Sequence, residues 1–294
     1  MTRTALVLGS NGGFGGQTAL ALEGAGWRVN RYQRGTDMAL AAHGASVIVN
    51  GLNPPAYHNW DQLIPEITGQ VLAAARASGA MILMPGNVYP YGMEPGLWNA
   101  DTPHRPVSRK GRIRAEQERA LREAAEAGGP RTLLLRGGDF LLPGAPGNVM
   151  NRLILQNLDK GTVTSLGDPQ ALHAYAYLPD MARAVVRLLD LGDQLPAYAD
   201  IPFGGHAFTI SDLSARISRL TGLPVRTKRF PIWIFTLASP FWELARELRE
   251  MLYLFSFPHQ LDPGPLRQWL PDWQDTDLDE VIARHLRALG ITAG

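Results

Sequence analysis

Four apolar residues, Ala5 to Leu8, run straight into a cluster of glycines, and Gln17 to Ala25 follows with helical spacing. The pattern predicts a short buried strand, a tight turn, and a helix with Ala19, Leu20 and Leu22 turned inward. Trp27 to Arg34 reads as a second strand ending on a basic residue, and Val47 to Gly51 as a third apolar run. Between them, residues 35 to 46 can hold one short helix, Met38 to His43, but no further strand with its turns. Asn53-Pro54-Pro55 forces an extended loop. Leu63 to Ser78 is a helix closed by Gly79, and Ala80 to Met84 a strand stopped by Pro85-Gly86. Arg109 to Ala127 is a charged helix ended by Gly128-Gly129-Pro130, and Thr132 to Arg136 a strand. Strands alternating with helices argue for a parallel sheet covered on both faces.

Beyond Pro143 the periodicity loosens. Val149 to Leu158 reads as helix and Ala174 to Leu178 as strand. A helix then opens at Asp180 as its cap and runs to Leu189. Ile201 to Phe203 is a late strand, and Ser211 to Leu220 a helix capped by Ser211. No flexible linker separates the halves. The expected architecture is an α/β Rossmann-type doubly wound sheet over residues 1–142, to which 173–204 returns. A smaller C-terminal α/β domain, 143–294, packs tightly on it.

The glycines at 9, 12 and 15 sit between the first strand and the first helix. Missing side chains let a backbone turn approach a pyrophosphate, and freed amides at a helix start attract it. Placed there, they point to a dinucleotide cofactor. Packed turns also use glycine, and that is the plainer reading. The strand missing from 35–46 is the edge strand of the 3-2-1-4-5-6 order, beside the adenine. Its loss thins that wall and raises the possibility of weak cofactor affinity.

Composition narrows the remaining choices. The 294 residues carry 28 basic and 27 acidic side chains, a net charge of +1 that gives no case for nucleic acid or an anionic membrane. With no cysteine, thiol chemistry and disulfides are excluded. The seven histidines are scattered, so no metal site is expected. The short N-terminal apolar run is no leader peptide, and a cytoplasmic location is the default. There is no G-x-S-x-G, which argues against an esterase.

Several motifs together resemble one family, the extended short-chain dehydrogenase/reductases that include sugar-nucleotide epimerases and dehydratases. They are the opening ALVLGSNGGFGG, RGGDFLLPG at 136–144, HAYAYLPDMARA at 173–184 and IPFGGHAFTISDL at 201–213. LDPGPLRQWLPDW and TDLDEVIARHL extend the likeness into the C-terminal region. The resemblance implies a nicotinamide cofactor, a small-molecule substrate, and a homodimer formed through helices 63–78 and 109–127. It places the cofactor on Gly9, Ser10, Asn11, Gly12, Gly13, Phe14 and Gly15, with Arg34, Leu52, Asn53 and Pro85 along the following strand ends.

The departures matter as much. The family's catalytic Tyr-x-x-x-Lys lies on the helix that here reads SRKGRIRAEQERA, which puts Lys110 at the tyrosine and Arg114 at the lysine. None of the three lysines has a tyrosine four residues before it, and the family's serine or threonine falls on Pro85. This is an atypical member. Lys110 and Arg114 share a helix face, where the arginine would lower the lysine pKa toward working pH and let its ammonium donate a proton. The plainer reading is a solvated helix with Arg114–Glu118 and Arg112–Glu116 pairs, worth ~0.3–0.5 kcal/mol each. Tyr89 or Tyr91, just past a strand end, could replace the lost acid, or simply anchor a proline-rich loop. Asn87 is the polar side chain nearest the lost serine.

Arg34 stands where an acidic residue would bind an adenosine ribose, so NADP(H) is favoured over NAD(H). A charge-assisted bond to a 2′-phosphate is worth ~1.5–3 kcal/mol, roughly tenfold to a hundredfold. Arg31 is a second candidate, and an exposed arginine without a ligand is the plain alternative. Pro231 to Phe257 holds Trp233, Phe235, Phe241, Trp242, Tyr253 and Phe255, broken by charge and proline and unfit to span a bilayer. It reads as a lid or core of the smaller domain, an apolar substrate pocket, or a subunit contact. No arginine set for a nucleotide diphosphate is evident. The expected function is an NAD(P)-dependent oxidoreductase or epimerase/dehydratase-like enzyme acting on a small carbonyl, enone or sugar-type compound. The alternative is an inactive NADP(H)-binding sensor or scaffold.

Overall fold

A computed structural model describes residues 2–145, 147–239 and 243–291. The apolar run forms β1 (Thr4–Leu8), buried over its last four residues. In α1 (Gly13–Gly24), Ala19 and Leu22 enter the core, but Leu20 is 59% exposed. At 3.6 residues per turn, Leu20 lies about 160° round the helix from Leu22, so the expected inward trio is a pair. β2 (Arg28–Arg31) is followed by α2 (Met38–Ala41), β3 (Val47–Asn50) and α3 (Trp60–Ser78). The Asp37 carboxylate caps α2, and left-handed Gly79 closes α3.

β4 (Met81–Gly86) runs through Pro85 rather than stopping there. Met81 N–H faces β3 and Ile82 N–H faces β6 (Thr132–Arg136), so by alternation position 85 faces β3. The β3–β4 ladder has already ended at Leu83, and the N–H that proline lacks is not needed. β5 (Leu97–Trp98) and α4 (Arg109–Glu126), capped by Ser108, lie between β4 and β6.

Next come β7 (Asp139–Leu141), β8 (Thr162–Ser165), β9 (His173–Tyr177), α5 (Leu178–Leu191) and β10 (Tyr198–Pro202). Residues expected as a helix from Val149 form only a π-helical turn, Met150–Ile154. The main sheet is parallel, in the order β10-β6-β4-β3-β1-β2. β2 is its edge: the next strand, β3, lies on the other side of β1, and among the described residues none lies outside β2. This is the doubly wound Rossmann arrangement short of one edge strand.

The remaining elements are β11 (His206–Phe208), α6 (Ile210–Thr221), β12 (Arg226–Arg229), α7 (Trp233–Ala238) and α8 (Glu243–Arg249). β13 (Gln260–Leu261), α9 (Gly264–Trp269) and α10 (Leu278–Ala288) complete the chain. β11, β9 and β7 form a three-stranded sheet, while β12 pairs β8 and β13 pairs β5. Two helix caps differ from expectation. α5 begins at Leu178, and Asp180 instead accepts hydrogen bonds from the Thr276 amide and hydroxyl, tying α5 to the C-terminal region. α6 is capped by Thr209, not Ser211, in a reciprocal capping box with Asp212.

Candidate functional site

The turn after β1 is built from three glycine backbones in contact. A Cβ on Gly9 (φ +71°) would stand 2.5 Å from the Gly51 carbonyl oxygen. One on Gly15 would stand 2.4 Å from the Gly9 oxygen, and one on Gly51 would stand 2.8 Å from the Leu8 oxygen. None of the three can carry a side chain without moving backbone. Gly51 was not among the sequence candidates, although its place directly behind the third apolar run is a signal. Gly12 precedes α1 in an extended conformation, with no capping side chain and no acid in the first turn. The first amides and the positive end of the helix are thus free for an anion. Ser10, Asn11, Gly12 and Gly13 line the exposed or half-exposed rim. Phe14 is buried and stacks on Phe140, centroids 6.4 Å apart.

Beside this turn, past the ends of β2 and β3, lies a groove of about 580 Å³ lined by Tyr32, Arg34, Leu52, Asn53 and residues of α3. Arg34 is exposed there, and among the described residues it has no ion-pair partner. Arg31 is engaged elsewhere, both its terminal nitrogens on Glu23 at 2.6 and 3.0 Å. Asn53 accepts a 2.8 Å bond from Arg114, which also donates to Gln117 at 2.6 Å and lies over the Trp60 ring. The Arg114–Glu118 pair of the plain reading is not formed. Arg114 fastens the 52–57 loop to α4.

A second space, about 30 Å³ and room for little more than one water, is walled by Tyr57, Tyr89 and Asp139. Its roof is Phe235, Leu248, Met251 and Leu254 from the C-terminal segment, with Phe255 beside them. The Tyr57 and Tyr89 hydroxyls are 3.4 Å apart. Burial raises the pKa of both phenols, and for Tyr89 the neighbouring Tyr57 and Asp139 add to it, so both are hydrogen-bond donors at neutral pH. Tyr57 was missed from sequence. It sits at φ 62°, a conformation rare for a bulky residue.

Lys110 is fully buried, with its ammonium 5.0 Å from the centre of the Tyr57 ring. It donates to Glu247 at 2.5 Å and Glu250 at 2.8 Å. Burial pushes Glu247 up, but hydrogen bonds and charge from Lys110, Arg246 and Arg109 bring it below the usual carboxylate range. Both carboxylates must release Lys110 before its proton can reach a substrate. The structure therefore gathers Tyr89, Lys110 and Arg114 around Tyr57. Tyr91 is buried apart from them, its hydroxyl on the Asn99 carbonyl at 2.7 Å. The Asn87 side chain closes its own turn by accepting the Tyr89 amide at 3.0 Å.

The C-terminal segment is a roof over this space. Phe235 and Leu254 point in, and Trp233 is 63% exposed. Phe241 and Trp242 lie outside the described residues. Behind the site, Arg136 at the end of β6 is fully buried between Glu118 (2.7 and 3.1 Å) and Asp200 (2.6 and 3.2 Å). It also donates to the Asn87 carbonyl at 2.6 Å. Burial opposes its charge, but Asp200 and Glu118 outweigh that and hold it protonated. Among the described residues no group of three His, Cys, Asp or Glu side chains could hold a metal, and no helix is long and apolar enough to cross a membrane.

Solved structures share this fold over the whole chain. MoeE5, in complex with UDP-glucuronic acid and NAD, matches with a TM-score of 0.79 at 17% identity, covering 98% of this chain and 99% of that one. UDP-glucose 4-epimerase from Brucella ovis, in complex with NAD, gives 0.77 at 16%, covering 100% of both chains. UDP-glucuronic acid 4-epimerase from Bacillus cereus, in complex with UDP-glucuronic acid and NAD, gives 0.76 at 15%, covering 98% and 99%. No curated protein matches the sequence. The profile of the NAD dependent epimerase/dehydratase family matches residues 38–202, from α2 to the end of β10 and more than half of the chain. The chain belongs to the NAD-dependent epimerase/dehydratase family.

Proposed function

We propose that the protein is an NADP(H)-dependent oxidoreductase or epimerase-type enzyme acting on a small carbonyl, enone or sugar-type compound. The observation that carries this reading is the contact of Gly9, Gly15 and Gly51 beneath an uncapped helix start. Such a cradle fits a pyrophosphate and would be closed by a single methyl group. NAD in the MoeE5 and Brucella ovis epimerase complexes supports a nicotinamide dinucleotide here. Arg34, exposed and unpaired at the groove, fits a 2′-phosphate and supports NADP(H) over NAD(H).

When bound, the cofactor gives or takes the hydride, and the chain has the remaining tasks. Tyr57 and Tyr89 offer phenol protons to a substrate oxygen. Lys110 fixes the roof above them through Glu247 and Glu250. Arg114 holds the cofactor wall at Asn53. A pairing of two copies through α3 and α4 belongs to the same reading, and light scattering tests it. Oxidation of NADPH across aldehydes, enones and sugar nucleotides tests the activity. Turnover of one class supports the enzyme, and tight NADPH binding without turnover anywhere supports the second reading, an inactive sensor or scaffold. The clamped Lys110 and the small closed space favour that second reading.

A further inference from the structure

Helix α7 is apolar on two sides. Phe235 faces inward, where it roofs the closed space and stacks on Phe230 with centroids 4.9 Å apart. On the far side from Phe235, Trp233, Ile234 and Leu237 fall within an arc of about 100°. That is the width of a stripe that ordinarily meets a core. Here it is left open, with Trp233 63% and Leu237 67% exposed. Ile232, just before the helix, and Ile234 are exposed with them. An apolar surface of this kind marks a contact with a partner or a membrane.

The charge beside α7 is one-sided. A net charge of +1 over the whole chain gives no reason to expect an anionic membrane, but the charge is unevenly spread. Residues 221–239 carry three cations and no acid. In β12, Thr227 turns toward α6, its hydroxyl 2.7 Å from that of Ser214. By alternation Arg226, Lys228 and the following Phe230 point the other way, and Phe230 is the ring stacked on α7. Arg226 and Lys228 are exposed, with no ion-pair partner among the described residues. Two acids on neighbouring segments are engaged: Asp168 lies 3.6 Å from Arg229, and Glu243 contacts His58 and Arg246.

We propose that α7 and β12 form a docking surface for an anionic lipid bilayer. Six helical residues are too few to cross a membrane, so the contact lies in the headgroup region with α7 along the surface. Trp233 sits at the boundary, where an indole keeps its body in apolar surroundings and its N–H in polar ones. Ile232, Ile234 and Leu237 reach the first acyl carbons. Arg226 and Lys228 meet the lipid phosphates, each worth about fivefold in partitioning. A second copy of the chain fits this surface less well. Two-fold pairing through α7 would set the basic row of one protomer against that of its partner.

Flotation of the full chain with vesicles tests the proposal, with phosphatidylglycerol and phosphatidylcholine in equal parts compared with phosphatidylcholine alone. The protein floats with the anionic vesicles, and binding falls at least tenfold on pure phosphatidylcholine or in high salt. Trp233→Ser combined with Leu237→Ser lowers affinity more than tenfold. Arg226→Gln combined with Lys228→Gln lowers it about twenty-fivefold on the anionic vesicles and removes most of the salt dependence. No flotation of the wild type overturns the proposal, as does binding that either double variant leaves unchanged. Light scattering covers the other occupant. A wild-type dimer that Trp233→Ser with Leu237→Ser converts to a monomer, without flotation, gives the surface to a second copy and also overturns the proposal. None of these outcomes depends on cofactor binding.

Discussion

Lys110 Nζ donates to Glu247 Oε2 at 2.5 Å, joining positions 137 residues apart in sequence. The bond fastens the C-terminal roof to the helix that carries the candidate site. Lys110→Met leaves the buried Glu247 with only Arg109 and Arg246, at 3.1 and 3.3 Å. Breaking a buried pair from one side costs about 3 kcal/mol. The expected result is a lower urea midpoint together with faster proteolysis within residues 233–257. Unaltered cleavage there would show that the roof does not depend on this lysine.

Arg136 has a larger effect because it holds two buried carboxylates at once. With Arg136→Met, Glu118 and Asp200 are left buried beside each other without the guanidinium that joins them, a cost of about 3–5 kcal/mol. Chemical denaturation should show that loss. Adding Glu118→Gln and Asp200→Asn should recover part of it, since the penalty lies in the unpaired carboxylates. A triple variant no more stable than the single one would contradict this account.

Much of the framework could be read from the chain because it is local. The apolar runs at 5–8, 47–51 and 132–136 are the central strands, and the short 35–46 connection correctly removed an edge strand. The site was less legible because its partners are distant. Lys110 needs Glu247, Arg136 needs Asp200, and Asp139 needs His173, pairings that no spacing encodes. Some signals were present. Arg136 ends an otherwise apolar strand, TLLLR, and a charge buried there requires a counter-charge. Tyr57 follows Pro54-Pro55, where the chain turns back toward α4. The two misassigned caps, Asp180 and Ser211, differ for a similar reason: Asp180 is claimed by Thr276, and Thr209 has the better-placed hydroxyl.

Acid should destabilise the fold through two buried histidines. Burial lowers His259 from 6.5 to about 3 and His285 from 6.5 to about 4. Folded, both stay neutral where the unfolded chain binds protons. Their contribution is complete above the unfolded value of 6.5 and falls as pH drops from there toward 4 and 3. The slope is on the order of 1 kcal/mol per pH unit for each histidine. Tm measured from pH 7 to pH 4 should decline, and His285→Gln should flatten the decline. An equally steep decline in that variant would remove His285 from the explanation.

The central claim is that the glycine cradle holds a dinucleotide whose 2′-phosphate meets Arg34. Calorimetric titration of the wild type and Arg34→Ala with NADPH and NADH tests it most directly. The account predicts that NADPH binds the wild type roughly tenfold to a hundredfold more tightly than NADH, and that Arg34→Ala erases the difference. Heat from neither cofactor would contradict it.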